Sequence, residues 1–251
     1  MKPTYVSLLM IMLQGIWLTQ NCLADETFYE VLKAGAWKDS KEDITVKTAR
    51  VATSGEQKME SESTIFLKRG EPDMVLIGPM YNGEPGKRLL TDAHILGWSD
   101  DNSGASYKRV ASAEDRWGFL ITTPMGEAFL IPSAECVSYL DKNFKITEVE
   151  VAEGENPKIH FALKTEPVDE ILKIFVEQEA KFEGMLEIDP ETRFVRSLDL
   201  HFVRGGSTRR EKISANYEVG ELAAELFEIP DETRKRLDAL RTKAREQGSA
   251  Q

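Results

Sequence analysis

From Phe194 to Phe202 the chain alternates: Phe194, Leu198, Leu200 and Phe202 fall on one parity, and Ser197, Asp199 and His201 on the other. The next run repeats this, with Ile213, Ala215, Tyr217 and Val219 opposing Lys212, Ser214, Asn216 and Glu218. A period of two places alternate side chains on opposite faces of an extended strand. Such strands form a sheet with one dry face and one wet face. That specifies an antiparallel sheet curved over something apolar and argues against a catalytic α/β scaffold. Asp189-Pro190-Glu191-Thr192 supplies the turn ahead of these strands, and Phe227-Glu228-Ile229-Pro230 closes the run. One charge sits on the dry parity. Arg196 shares the face of Phe194, Leu198 and Leu200, either as a strand-end residue reaching water along its apolar stem or as an interior cation for a lipid head group.

The same pattern extends upstream. Strands are expected at Ile44 to Val51, Ser63 to Lys68, Met74 to Ile77, Lys87 to Leu90, His94 to Trp98, Ala105 to Val110 and Trp117 to Thr122. Others follow near Glu127 to Ile131, Ile146 to Val151 and Lys158 to Leu163. Asn82-Gly83, Gly86, Asp100 to Gly104 and Pro124-Met125-Gly126 punctuate them. Short strands at this spacing make a meander that closes wholly or partly into a barrel. Helices interrupt it. Thr27 caps a short first one, and Pro230-Asp231-Glu232 opens a C-terminal helix over about 230–246. Pro167 to Glu179 carries Val168, Ile171, Leu172 and Phe175 at helical spacing, while a strand alternating through Leu172, Ile174 and Val176 fits nearly as well.

The N-terminus supplies an address. Lys2, the apolar run Val6 to Leu13, and small or polar residues up to Ala24 follow the order of a secretory signal peptide. Gln14, Thr19, Gln20 and Asn21 cut the apolar run short of the roughly 20 residues that span a bilayer. Residues 1–24 are therefore expected to be removed, leaving 25–251 as one β domain in the periplasm or cell envelope. Lipid anchoring at Cys22 is the alternative; Thr19-Gln20-Asn21 lacks the small residue that normally precedes a lipidated cysteine. The net charge of −11 excludes a nucleic-acid binder, which needs a clustered cationic surface. Only Cys136 would remain after cleavage, so no intrachain disulfide could staple the domain.

No motif for a metalloprotease, a redox dithiol, a nucleophile elbow, a phosphate loop or a dinucleotide fold is present. The histidines His94, His160 and His201 lie on separate strands, two of them on polar parity. Asp100 to Gly104 has its glycine one residue early for a calcium loop and no terminal glutamate. Cys136, placed between strands, reads as a small buried side chain. Glu148/Glu150 and Glu183/Glu187 read as a wetted sheet face. The expectation is a protein without catalytic residues, cofactor or metal.

The middle of the chain is aromatic and apolar. Trp98, Trp117, Phe119 and Ile121, with Arg196, Leu198 and Phe202 from the later strands, form the candidate ligand-binding set. Such side chains either fill a small barrel or line a cavity, and periodicity alone does not distinguish the two.

Several segments carry a resemblance, in order. They are Ser63 to Arg69 followed by Glu71-Pro72-Asp73, Leu90 to Trp98, Ser106 to Val110, the Ile188 to Thr192 hairpin, and Phe227 to Pro230. In these the chain resembles the periplasmic lipoprotein-carrier superfamily of LolA/LolB-like and LppX/LprG-like proteins, with Ala93 where many relatives have glycine. The resemblance implies a curved antiparallel half-barrel with helices across its concave face, and Lys181 to Pro230 as its far edge. It also implies a space for acyl chains of lipids or lipoproteins. The expected function is a monomeric, exported, non-enzymatic carrier or sensor of such a chain. The alternative is a module on the same scaffold, its core filled, that binds an envelope protein.

Overall fold

The computed structural model describes residues 41–70, 74–78, 86–91, 94–99, 104–109, 117–118, 126–152 and 154–248. The signal segment, the helix expected at Thr27, and the turns at Asn82-Gly83 and Asp100 to Ser103 lie outside them, as do Phe119 and Ile121.

Eleven strands form one sheet: β1 (Ile44–Ser54), β2 (Gln57–Lys68), β3 (Met74–Gly78), β4 (Gly86–Leu90), β5 (His94–Ser99), β6 (Ala105–Arg109), β7 (Phe144–Glu150), β8 (Lys158–Leu163), β9 (Lys181–Ile188), β10 (Val195–Arg204) and β11 (Ser207–Val219). Their spatial order is β6-β5-β4-β3-β2-β1-β11-β10-β9-β8-β7, every neighbouring pair is antiparallel, and the sheet does not close. Among the described residues three α-helices accompany it: α1 (Ala134–Asn143), α2 (Glu170–Glu177) and α3 (Asp231–Gly248). The mainly β, open half-barrel class is therefore correct. The run from Lys181 is not its far edge, because β11 lies against β1 in the middle and the edges are β6 and β7.

This order explains where the core must be. The chain walks outward by hairpins from β1 to β6, resumes at the opposite edge with β7, and walks back to β11. The connection from Arg109 to Phe144 must cross the sheet, and its described parts do so as the cover of the dry face. Ile44, Val46, Ile65, Ile77, Leu90 and Ile95 from one wing share a buried cluster with Ile159, Phe161, Leu186, Leu198 and Ile213 from the other. Trp117, Phe129, Leu130, Ile131, Val137 and Leu140 of the cover complete it.

The cover is also where two expected strands fail. Trp117 and Gly118 are helical, and Glu127–Leu130 is a turn of 3₁₀ helix. Cys136 lies inside α1, not between strands, and its thiol donates to the Ala128 carbonyl at 2.9 Å. Continuous apolar runs suit a buried strand or a buried helix equally. Asn143 fastens the helices together: its buried side-chain oxygen accepts from the amides of Val168 and Asp169, both at 2.9 Å, and its amide donates to the Tyr139 carbonyl. Asp169 then caps α2 by accepting from Ile171 and Leu172.

A second, smaller cluster lies on the other face. Leu76, Leu89 and Trp98 pack with Leu222 and Phe227 of the C-terminal segment, joined by Phe66, Leu96 and Ile229. Asp43 pins that segment, accepting from the amides of Arg69 and Leu222 at 2.8 and 2.9 Å. Beyond it α3 runs alongside β6 and buries Thr233 and Leu237. It extends past the expected end near residue 246 to Gly248. Among the described residues, no helix is long and apolar enough to cross a membrane.

Candidate functional site: a buried charge cluster beneath the cover

Along β1 the inward parity runs Ile44, Val46, Thr48, Arg50, Ala52, and all five are buried. Arg50 is thus a cation on the dry face, 4% exposed. On the paired strand, Glu211 has the parity of Ile213, Ala215 and Tyr217 and is 2% exposed. The register sets Arg50 opposite Ile213 and Ala52 opposite Glu211, so the two charges are diagonal neighbours. Arg50 Nη1 lies 3.6 Å from Glu211 Oε2, and Arg209 Nη2 lies 2.6 Å from Glu211 Oε1.

The third buried member comes from the cover. Glu127, 2% exposed, accepts a hydrogen bond from Arg50 Nη2. Gly126 makes this approach possible. Its φ is +98°, and a Cβ there would come within 2.7 Å of Leu200 and 3.0 Å of Leu198. Only glycine lets the cover lie this close to β10 while turning Glu127 toward β1. Glu127 Oε2 and both carboxylate oxygens of Glu211 are buried without a hydrogen bond. Desolvation dominates both acids and outweighs the pull of Arg50. It pushes Glu127 up to about 8 and also raises Glu211.

Other polar latches hold the cover down. Tyr217 donates to the Leu130 carbonyl at 2.8 Å, and Arg69 donates to that of Pro132 at 2.9 Å. Burial raises the Tyr217 phenol, and its ring stacks on Phe194 with centroids 4.4 Å apart. Beside the latches lies an aromatic nest. Phe129 stacks on Phe161 at 4.5 Å and meets Phe144 edge-on at 5.2 Å, while Phe182 contacts Phe144 and Phe202.

The sequence-derived site residues do not form one group. Trp117 is fully buried in the main core, and Leu198 lies in that core under Gly126. Phe202 borders the aromatic nest, 5.5 Å from Phe175 of α2. Trp98 is on the opposite face of the sheet, under the C-terminal segment. Arg196 does not share the face of Leu198 and Leu200. A bulge between Val195 and Ser197 turns Val195 inward and leaves the Arg196 side chain 57% exposed, paired through Nε with Asp189 at 2.9 Å. Arg50, Glu127 and Glu211 were not anticipated. The rule that singled out Arg196, a charge on the dry parity, applies equally to Arg50 and Glu211; Glu127 had no such signal.

Two further features bear on chemistry. Glu148, Glu150 and His160 bring their ligand atoms within 4.8 Å of one another on the outer face of β7 and β8. They are solvent-accessible, and His160 pairs with Glu150 at 2.8 Å, so this set could hold a metal only as a surface site. On α2, Val168 just ahead of the helix and Ile171 and Ile174 within it expose apolar side chains.

No family model matches the sequence, and no curated protein matches it. Solved structures do match. A DUF1329 family protein from Desulfovibrio piger is 12% identical, with 80% of this chain and 95% of that chain covered at a TM-score of 0.43. A LolA superfamily protein from Nitrosomonas europaea is 10% identical over 81% of this chain and 98% of that one, with a TM-score of 0.40. A putative outer membrane lipoprotein-sorting protein domain from Vibrio parahaemolyticus is 9% identical over 80% and 94%, with a TM-score of 0.45. At these identities and TM-scores the likeness is one of structure alone.

Proposed function

We propose that this chain is an exported, non-enzymatic binding protein of the cell envelope, and that it carries or senses a lipid-like acyl chain on the dry face of its sheet. One observation carries this reading. Among the described residues, the apolar face of an open sheet is covered by α2 and by one connecting segment whose described parts are held by side-chain latches and not by strand pairing. Beneath it the aromatic nest around Phe129 supplies the surface an acyl chain needs. Each buried CH₂ contributes about 0.8 kcal/mol, so a chain displacing these contacts requires little polar recognition. On this reading the cover's own side chains fill the space until a ligand displaces them.

Native mass spectrometry of protein isolated from its own envelope, together with uptake of a fluorescent fatty acid, tests the reading. A lipid-sized adduct and saturable uptake are expected; a mass-clean protein that takes up no probe refutes it.

The apolar residues exposed on and just ahead of α2 favour a second reading, an envelope module that binds a partner protein with its core permanently filled. Retained probe uptake after Ile171→Glu and Ile174→Glu separates the two, because the carrier uses the interior and the module uses that helix.

A further inference from the structure

The charge cluster is an unusual thing to keep under an acyl-binding cover. Replacing a buried ion pair by well-packed apolar residues is often neutral or stabilising, whereas removing one partner is costly. A cluster whose members are unequally fixed suggests a use for it. Arg50 and Glu211 stand on two central strands of the sheet. Glu127 stands on one turn of 3₁₀ helix in the cover, whose described residues pair with no strand of the sheet. Glu127 is therefore the member that can leave, and Arg50 the one that stays behind on the dry face.

Resting on the carrier reading above, we infer that Arg50 is the head-group subsite of this interior. Glu127 is an internal stand-in, and the carboxylate of a long-chain acid takes its place when the cover opens. A guanidinium presents two parallel N–H groups that fit one carboxylate, so an incoming acid can reproduce the Glu127 contact and add a second. The apolar wall is in place, since Leu198, Leu200 and Ile213 crowd Gly126 next to the displaced glutamate. The charged groups facing the site among the described residues are Arg50 from β1, and Glu211 and Arg209 from β11; β10 presents only Leu198 and Leu200. Glu127 Oε2, buried without a hydrogen bond, marks a stand-in that fits its place imperfectly. Burial also keeps Glu127 largely protonated at neutral pH, so it competes weakly with an ionised ligand.

Laurate and its methyl ester share one alkyl chain and differ in charge, so their competition against a fluorescent fatty acid isolates the head-group contact. Laurate is expected to bind the wild-type protein about tenfold or more tightly than the ester at neutral pH. The ratio should fall to about one in Arg50→Met/Glu127→Leu, which removes both members of the contact and leaves Glu211 with Arg209. Arg50→Lys, which keeps the charge but loses the fork, should give an intermediate ratio and serves if the double variant does not fold. Equal binding of acid and ester by the wild-type protein overturns the head-group assignment while leaving the carrier reading intact. So does a ratio unchanged by both variants. Binding of neither compound overturns both.

Discussion

The sheet and the segment that covers it are both buried along their contact, yet they are held by different means. The sheet is specified by backbone pairing and a two-residue period, repeated through eleven strands, so each strand's place is over-determined. Among the described residues the cover has no such ladder to the sheet. It stays by filling space with Trp117, Phe129 and Leu140 and by a few side-chain bonds, those of Arg50, Arg69 and Tyr217. A layer attached in this way can open without breaking the sheet, and the local cost of opening is set by a handful of residues.

The sharpest attack on this contrast is at the aromatic nest. Phe129→Ala should cost about 3–5 kcal/mol, read from the urea midpoint, because a cavity is left among Phe144, Phe161 and Phe182. A loss below 1 kcal/mol would mean the cover is only loosely laid on the sheet. Arg50→Ala should be nearly as severe, about 3–5 kcal/mol, since it leaves Glu127 buried without its partner and Glu211 with Arg209 alone. Arg50→Met/Glu127→Leu should recover most of that, and equal losses in the single and double variants would show that the latch is not a coupled unit.

Asn143→Ala tests how the helices are tied to each other. Two buried amides lose their acceptor, and a loss of about 1–3 kcal/mol is expected by chemical denaturation. Proton linkage gives a gentler probe. With Glu127 at about 8 in the folded chain and near 4.5 unfolded, the native state holds a proton that the unfolded chain has released. Its contribution is fully present below pH 4.5 and is lost as pH rises towards 8, so stability should fall across that window. Asp189, held down to about 2 chiefly by the Thr192 amide, titrates outside it. In Glu127→Gln the slope should shrink to whatever Glu211 contributes; an undiminished slope would place its origin elsewhere. The smallest effect is expected at Arg196→Ala. Its pair with Asp189 is exposed, so stability should change by less than about 1 kcal/mol, and uptake of a fluorescent fatty acid should not change.

Most of the sheet was legible in the sequence, because strands with one wet face announce themselves by parity. β1, β2, β8, β10 and β11 all follow it, and cross-strand pairs such as Lys47–Glu218 and His201–Glu183 occupy the wet side as the alternation requires. The pattern misled at Arg196, because one extra residue in a bulge inverts the parity of everything before it. It misled again at Trp117 and Glu127, whose neighbours form unbroken apolar runs. The candidate site was half visible. Charges of opposite sign on the dry parity of two strands, Arg50 and Glu211, could have been noticed, but their adjacency depends on β1 pairing with β11 across more than half the chain.

By itself, then, the sequence determined an antiparallel sheet with one dry and one wet face, since period and polarity are local properties that each strand carries alone. Tertiary structure decided the rest. It put the first and last strands side by side in the middle of the sheet and laid the described parts of the Arg109 to Phe144 connection across the dry face. It separated Trp98 from Trp117 by the thickness of the sheet, and it drew Glu127 down onto Arg50. None of these follows from periodicity, because each is a contact between residues that are far apart in sequence and held together only by the packing of the whole.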